Sequence, residues 1–234
     1  MIAIAKKELR SYFLSPIGYV FVAVILFLFG YYYFQVLKIQ STSYIPSVYG
    51  TMFIWAMMFL PIITMRSFSE EIKNKTDQGL LTAPVGVFAI VFGKFLAAFA
   101  VFAIAMIGSL IPVVIISFFS APPWATILGT VFGSLLYGAG MIAIGVFISS
   151  LTQSQIIAAI GTFGASIFLL VINQMSSLAS TPAIASLISW ISFDARYQPF
   201  TKGMFNISSI VFFLSVVAIF TFLTARKLES KRWS

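Results

Sequence analysis

Hydrophobic positions in this chain run in long unbroken blocks. Ile17 to Leu37 and Val48 to Met65 contain no Lys, Arg, Asp, Glu or His, and neither does the whole stretch from Phe95 to Phe193. A hydrocarbon core ~30 Å thick is crossed by about 20 apolar helical residues. The blocks therefore predict six membrane spans, at about 17–37, 48–65, 95–119, 124–148, 155–173 and 207–224. A short polar loop, Lys38 to Ser47, separates the first two. Ala121-Pro122-Pro123 breaks the third from the fourth, because a residue before proline is pushed out of helical geometry. The polar turn Ser149 to Ser154 closes the fourth. A lipid-exposed backbone must satisfy its own hydrogen bonds, so a helical bundle is expected. The alternating ~10-residue strands of a membrane barrel do not occur.

Two shorter segments read as interfacial. Met1 to Leu14 sets Ile2, Leu9 and Phe13 near one helical face and Lys6, Lys7 and Arg10 around the other, the pattern of a helix in the headgroup layer. A plain extension of the first span is the alternative, against which Pro16 predicts a break. Ala183 to Phe193 carries Ile184, Leu187, Ile188 and Ile191 at helical spacing. It is too short to span, which predicts a short external or re-entrant helix between spans five and six. The fold class expected is an all-α membrane protein with 1–234 as a single transmembrane domain.

Charge supplies the orientation. With both termini in the cytoplasm, the inner side holds Lys6, Lys7, Arg10, Arg66, Lys73, Lys75, Lys94, Arg226, Lys227, Lys231 and Arg232, leaving Lys38, Arg196 and Lys202 outside. That asymmetry follows the positive-inside rule and makes 66–94 a cytoplasmic loop. The net charge of +8 is thus explained without nucleic acid, since the bases sit at the ends of apolar runs. Lys6, Lys7 and Arg10 precede an apolar run longer than that of a cleavable signal, so no signal peptide is expected.

Composition removes much chemistry. The chain is 60% hydrophobic and 9% charged, with no cysteine and no histidine. Imidazole and thiolate metal sites and a serine–histidine protease centre are therefore excluded. The drawn spans contain no carboxylate for an aspartyl protease or a proton relay, while a carrier using backbone carbonyls at broken helices stays open. Gly86 to Phe95 ends in Gly93-Lys94-Phe95 but has the wrong glycine spacing for a phosphate loop, and Phe95 where Ser or Thr would hold magnesium. No catalytic, cofactor or metal site is expected in this chain. Gly129 and Gly133, with Gly138, Gly145, Gly161 and Gly164, offer small-residue faces that suit packing within the chain or against a second copy. Pro61 predicts a kink near the inner end of span two.

The loop 66–94 is the charged exception. Met65 to Lys75 reads as a helical continuation of span two, with Glu70–Lys73 and Glu71–Lys75 pairs along it. Thr76 to Gly79 reads as a turn and helix start. A short amphipathic helix ends near Pro84, and an interfacial helix then feeds span three.

The stretch from Glu70-Glu71 through Thr76-Asp77-Gln78-Gly79-Leu80-Leu81-Thr82-Ala83-Pro84, with Gly93-Lys94 opening span three, resembles the first cytoplasmic loop of type 2 ABC exporter permeases. Lys6-Lys7-Glu8-Leu9-Arg10 through Ser15-Pro16-Ile17-Gly18-Tyr19 resembles their N-terminal connecting helix, and is most like the gliding-motility-associated subgroup. The resemblance extends along essentially the whole chain. It departs from the family pattern at Lys75, where Gly is usual, at Asp77, where Leu is, and at Gln78, where Glu is.

The resemblance implies a permease subunit of an ATP-driven exporter in a bacterial or archaeal cytoplasmic (inner) membrane. Its partners would be a separate cytosolic ABC ATPase, which holds ATP and magnesium, a second identical or related permease subunit, and membrane lipid. Glu70, Glu71, Thr76, Asp77, Gln78, Leu80, Leu81 and Pro84 would form the coupling segment. Leu80 and Leu81 would fill a groove on the ATPase. Glu70, Glu71 and Asp77 would pair with the partner, or with Lys6, Lys7 or Arg10 of the connecting helix. The alternative is an energy-independent channel, carrier or membrane scaffold.

Overall fold

A computed structural model describes residues 1–39, 41–76, 79, 85–178 and 190–233. Among them the regular elements are helical. Among the described residues, six helical segments are long and apolar enough to cross a membrane: Pro16–Ile39, Thr42–Lys73, Val87–Ser117, Trp124–Leu151, Gln155–Ile172 and Ile207–Lys231.

Helix α1 (Ile2–Leu14) stops one residue before helix α2 (Pro16–Ile39) begins. Ser15 between them is extended, at φ −95° and ψ 156°, as a residue before proline should be. Proline at a first helical position costs nothing, because its missing N–H has no intrahelical partner there. Gly18 permits the fold-back: a Cβ there would sit 2.7 Å from the Tyr12 carbonyl oxygen.

Helix α3 (Ile45–Thr64) carries Pro61 in its last turns. A turn over 65–68 follows, and the chain resumes as the short helix α4 (Ser69–Lys73). The expected continuous helix from Met65 to Lys75 is therefore interrupted. Helix α5 (Val87–Gly108) starts earlier than the expected third span, so Lys94 lies within it. It breaks at Ser109 and Leu110, and α6 (Ile111–Ser117) continues with Pro112 in its first turn.

Helix α7 (Trp124–Leu151) is the axis of the bundle, touching α3 and α5 as well as the helices that follow it. Its most apolar stretch is 72% buried, against 17% for the span at Gln155–Ile172. Glycine allows this. A Cβ at Gly138 would lie 2.1 Å from the Phe102 ring and one at Gly145 2.3 Å from Thr64 Oγ1, while Gly164 has nothing within 4 Å. The span-four glycines thus serve close packing inside the chain.

Helix α8 (Gln155–Leu178) follows. Most of the expected helix at 183–193 lies outside the described residues. What the structure describes before the last span is α9 (Phe193–Thr201), a helix the polarity pattern did not announce. Ser192 caps it by accepting a hydrogen bond from Ala195 N at 3.2 Å. Tyr197 and Phe200 bury against α7, and Gly203 at φ +74° turns the chain toward α10 (Ile207–Trp233).

Candidate functional site: a charged junction between α1, α3, α4, α5 and α7

An ammonium group inside an apolar helix must find a partner or shed its charge. Lys94 finds two. Its Nζ lies 2.8 Å from Glu71 Oε1 of α4 and 3.2 Å from Glu8 Oε1 of α1. It also stands 5.1 Å over the Phe68 ring. The Lys94 side chain is 2% exposed and each carboxylate 16%. Lys7 Nζ, 3.6 Å from Glu8 Oε1, brings the cluster to two cations and two anions. Glu71 Oε2 is buried with no hydrogen-bond partner among the described residues. The close approach of α1 to α5 comes from Gly93, where a Cβ would lie 2.9 Å from Ile4 Cγ2.

A second ion pair flanks the first. Arg66 Nε donates to Glu70 Oε2 at 2.8 Å, and Arg66 Nη1 donates to Ser15 Oγ at 3.0 Å. This ties the end of α3 to the α1–α2 elbow.

The last carbonyls of a helix have no partner within it. At α3 they are supplied from neighbouring helices. The Tyr12 hydroxyl donates to Ile63 O at 2.6 Å and lies 3.4 Å from Ser67 Oγ. Burial, with smaller repulsion from Glu8 and Glu70, pushes the Tyr12 phenol up to about 12, so it stays a donor at neutral pH. Ser149, at the end of α7, donates to Met65 O at 2.9 Å and accepts from Phe68 N and Ser69 N, both at 3.1 Å. One hydroxyl thus satisfies three backbone groups at the 65–68 turn.

Helix α4 ends in a Schellman motif. Thr76 N donates to Glu71 O at 3.0 Å and Lys75 N to Ile72 O at 3.3 Å. The motif needs a left-handed residue, and Lys75 occupies that place at φ 55°. This is where the type 2 exporter pattern carries Gly. Between α1 and α4 lies a polar cleft of about 280 Å3 that includes Glu8, Glu70, Glu71 and Lys94 in its walls.

The whole-chain match is what gives this junction a context. The family model described as ABC-2 family transporter protein matches residues 2–231. The chain belongs to the ABC-2 transporter family. Members of this family are membrane subunits without an ATPase site of their own and normally work with an ATPase subunit. No curated protein matches the chain.

Within this ABC-2 family chain, Glu70 and Glu71 fall in the junction and Thr76 at its edge, where its hydroxyl donates to Glu71 O at 3.4 Å. Asp77, Gln78, Leu80, Leu81 and Pro84 lie outside the described residues. The expected Glu70–Lys73 and Glu71–Lys75 pairs give way to Glu70–Arg66 and Glu71–Lys94. The reason is the backbone: α4 is only five residues long, and Lys75 has already left the helical path. Lys6, Lys7 and Arg10 do not hold Glu70 or Glu71; the α1 residue that meets this segment's partner Lys94 is the acid Glu8.

The pairing roles of Glu8, Tyr12 and Ser149 were not evident in the sequence. Ile4, Glu8 and Tyr12 share one face at i, i+4 spacing, a signal masked by the acid in its middle. Lys94 carried the clearer clue, as one charge bordering a long uncharged run that must be paired if the helix extends past it.

Proposed function

We propose that this chain is the membrane-spanning permease subunit of an ATP-driven exporter, coupled to ATP hydrolysis on a separate cytosolic ATPase. The observation that carries this reading is the junction at Lys94. The segment following Thr76 departs from a point tied by ion pairs to α1 and α5, and by Ser149 to α7. A push on that segment would therefore load several spans at once instead of bending a free loop.

In this reading residues 70–84 are the coupling segment. Leu80 and Leu81 provide the apolar contact with the ATPase, and Asp77 and Gln78 the polar one. Helix α1 is the interfacial connecting helix, and a further short helix between spans five and six is external or re-entrant. Both termini and the 66–94 segment face the cytoplasm, as the distribution of Lys and Arg supports. The chain acts as a single membrane domain with a second permease subunit, identical or related, in the cytoplasmic membrane of a bacterium or archaeon. Its opening residues favour the gliding-motility-associated subgroup.

The test is co-purification with a soluble ATPase encoded beside it. The expected result is a complex whose affinity changes with nucleotide. Isolation of the chain without any ATPase, and no association with the neighbouring one in any nucleotide state, would refute the reading.

A further inference from the structure

A groove of about 730 Å3 runs along α1, and Lys6, Lys7, Arg10 and Arg66 line it together with Ser11, Leu14 and Ser15. No Asp or Glu is among its lining residues within the described part of the chain. The neighbouring polar cleft differs in kind: Glu8, Glu70 and Glu71 face Lys7, Arg66 and Lys94 there, so its charges are matched internally. Of the groove's four cations, Lys7 and Arg66 are shared with Glu8 and Glu70 of that cleft, while Lys6 and Arg10 meet no acid among the described residues and leave the groove cationic. Arg66 is its fixed wall, held by Glu70 and Ser15.

We propose that this groove binds the phosphate headgroup of an anionic phospholipid. Its position favours a lipid over a soluble anion. Ser15 and Arg66 mark the ends of two apolar spans, Pro16–Ile39 and the α3 helix Ile45–Thr64, so the groove lies at the level where helices leave the hydrocarbon. Apolar surface stands beside it: Leu14 is 76% exposed, and Tyr19 and Val20 in the first turns of α2 are 61% and 56% exposed. Such surface accepts the glycerol and upper acyl chain while lysine and arginine hold the phosphate. The bound lipid would brace the α1–α2 elbow from outside as Tyr12 and Arg66 do from inside. The proposal rests on the membrane topology and not on ATPase coupling, so either can fail alone.

The test is native mass spectrometry of the full chain in neutral detergent, titrated with phosphatidylglycerol or phosphatidylcholine. Phosphatidylglycerol should be retained preferentially. The combined Lys6→Gln, Lys7→Gln, Arg10→Gln variant should bind it about a hundredfold more weakly, since each of the three bases near an anionic surface contributes roughly fivefold. Phosphatidylcholine binding should not change. Removing as many charges at the other end, by Arg226→Gln, Lys227→Gln and Lys231→Gln, should leave phosphatidylglycerol retention intact. Lys6→Arg with Lys7→Arg should keep it too, which guards against misfolding as the cause. Equal losses in the two glutamine variants, no loss in the α1 variant, or full displacement by millimolar inorganic phosphate would overturn the proposal. So would weakened ATPase association with lipid retention unchanged, because the groove would then be a protein-docking face.

Discussion

Replacing Lys94 by Met keeps the length and apolar stem of the side chain and removes only its charge. In the native protein that charge stands 2.8 Å from Glu71 and 3.2 Å from Glu8, with the lysine side chain 2% exposed. Removing one partner of a buried ion pair costs about 3–5 kcal/mol, mostly because the opposite charge stays behind without compensation. Here two carboxylates stay behind, but each is 16% exposed and gains some relief from water. The lower end, about 3 kcal/mol, is the appropriate figure. For a chain of this size it corresponds to a fall in Tm of about 6–12 °C. The assay is thermal unfolding of the purified chain in detergent, followed by tryptophan fluorescence. Neutralising the buried part of the cluster, with Glu8→Gln and Glu71→Gln added to Lys94→Met, should restore most of the loss, because only the exposed Lys7 then keeps its charge. A single variant within about 2 °C of the native protein, or a triple variant less stable than the single one, would refute the assignment.

Other consequences are as specific. Tyr12→Phe should cost about 1 kcal/mol at neutral pH, since it removes the donor to Ile63 O. Burial raises the Tyr12 phenol from 10 to about 12, so the fold favours its neutral form. That contribution is fully present below pH 10 and is lost as pH rises toward 12. The native protein should therefore lose more stability than Tyr12→Phe across that window in pH-dependent unfolding. Ser149→Ala leaves Met65 O, Phe68 N and Ser69 N without this partner and should destabilise by about 2–3 kcal/mol in chemical denaturation. Lys75→Gly should be stabilising by about 1 kcal/mol in the same measurement, because only glycine takes the left-handed position without steric cost.

Burial in lipid writes itself into a sequence as the absence of charge, and this is why the spans are legible from Ile17 to Leu37 and from Phe95 onward. The junction is written differently. Glu8 and Lys94 are far apart in the chain and meet only because Gly93 lets α1 lie against α5. Local spacing suggested Glu71–Lys75, and it misled because it assumed a helix that the backbone ends at Lys73. A lysine in a left-handed position has no compositional signature; Gly at that place in related loops was the available hint. Ser149 read as a turn residue because a serine at a helix end has many uses, and only the arriving 65–68 turn selects one. Helix α9 escaped notice because its face is set by Tyr197 and Phe200 among polar neighbours.

In the proposed function, the segment following Thr76 receives the force of ATP hydrolysis and passes it to the spans through the Lys94 junction. The most direct measurement is the ATP hydrolysis rate of the reconstituted complex with Leu80→Asp and Leu81→Asp introduced together. The rate should fall to that of the free ATPase, while the variant chain still unfolds at the native Tm. Full stimulation by the doubly substituted chain would contradict it.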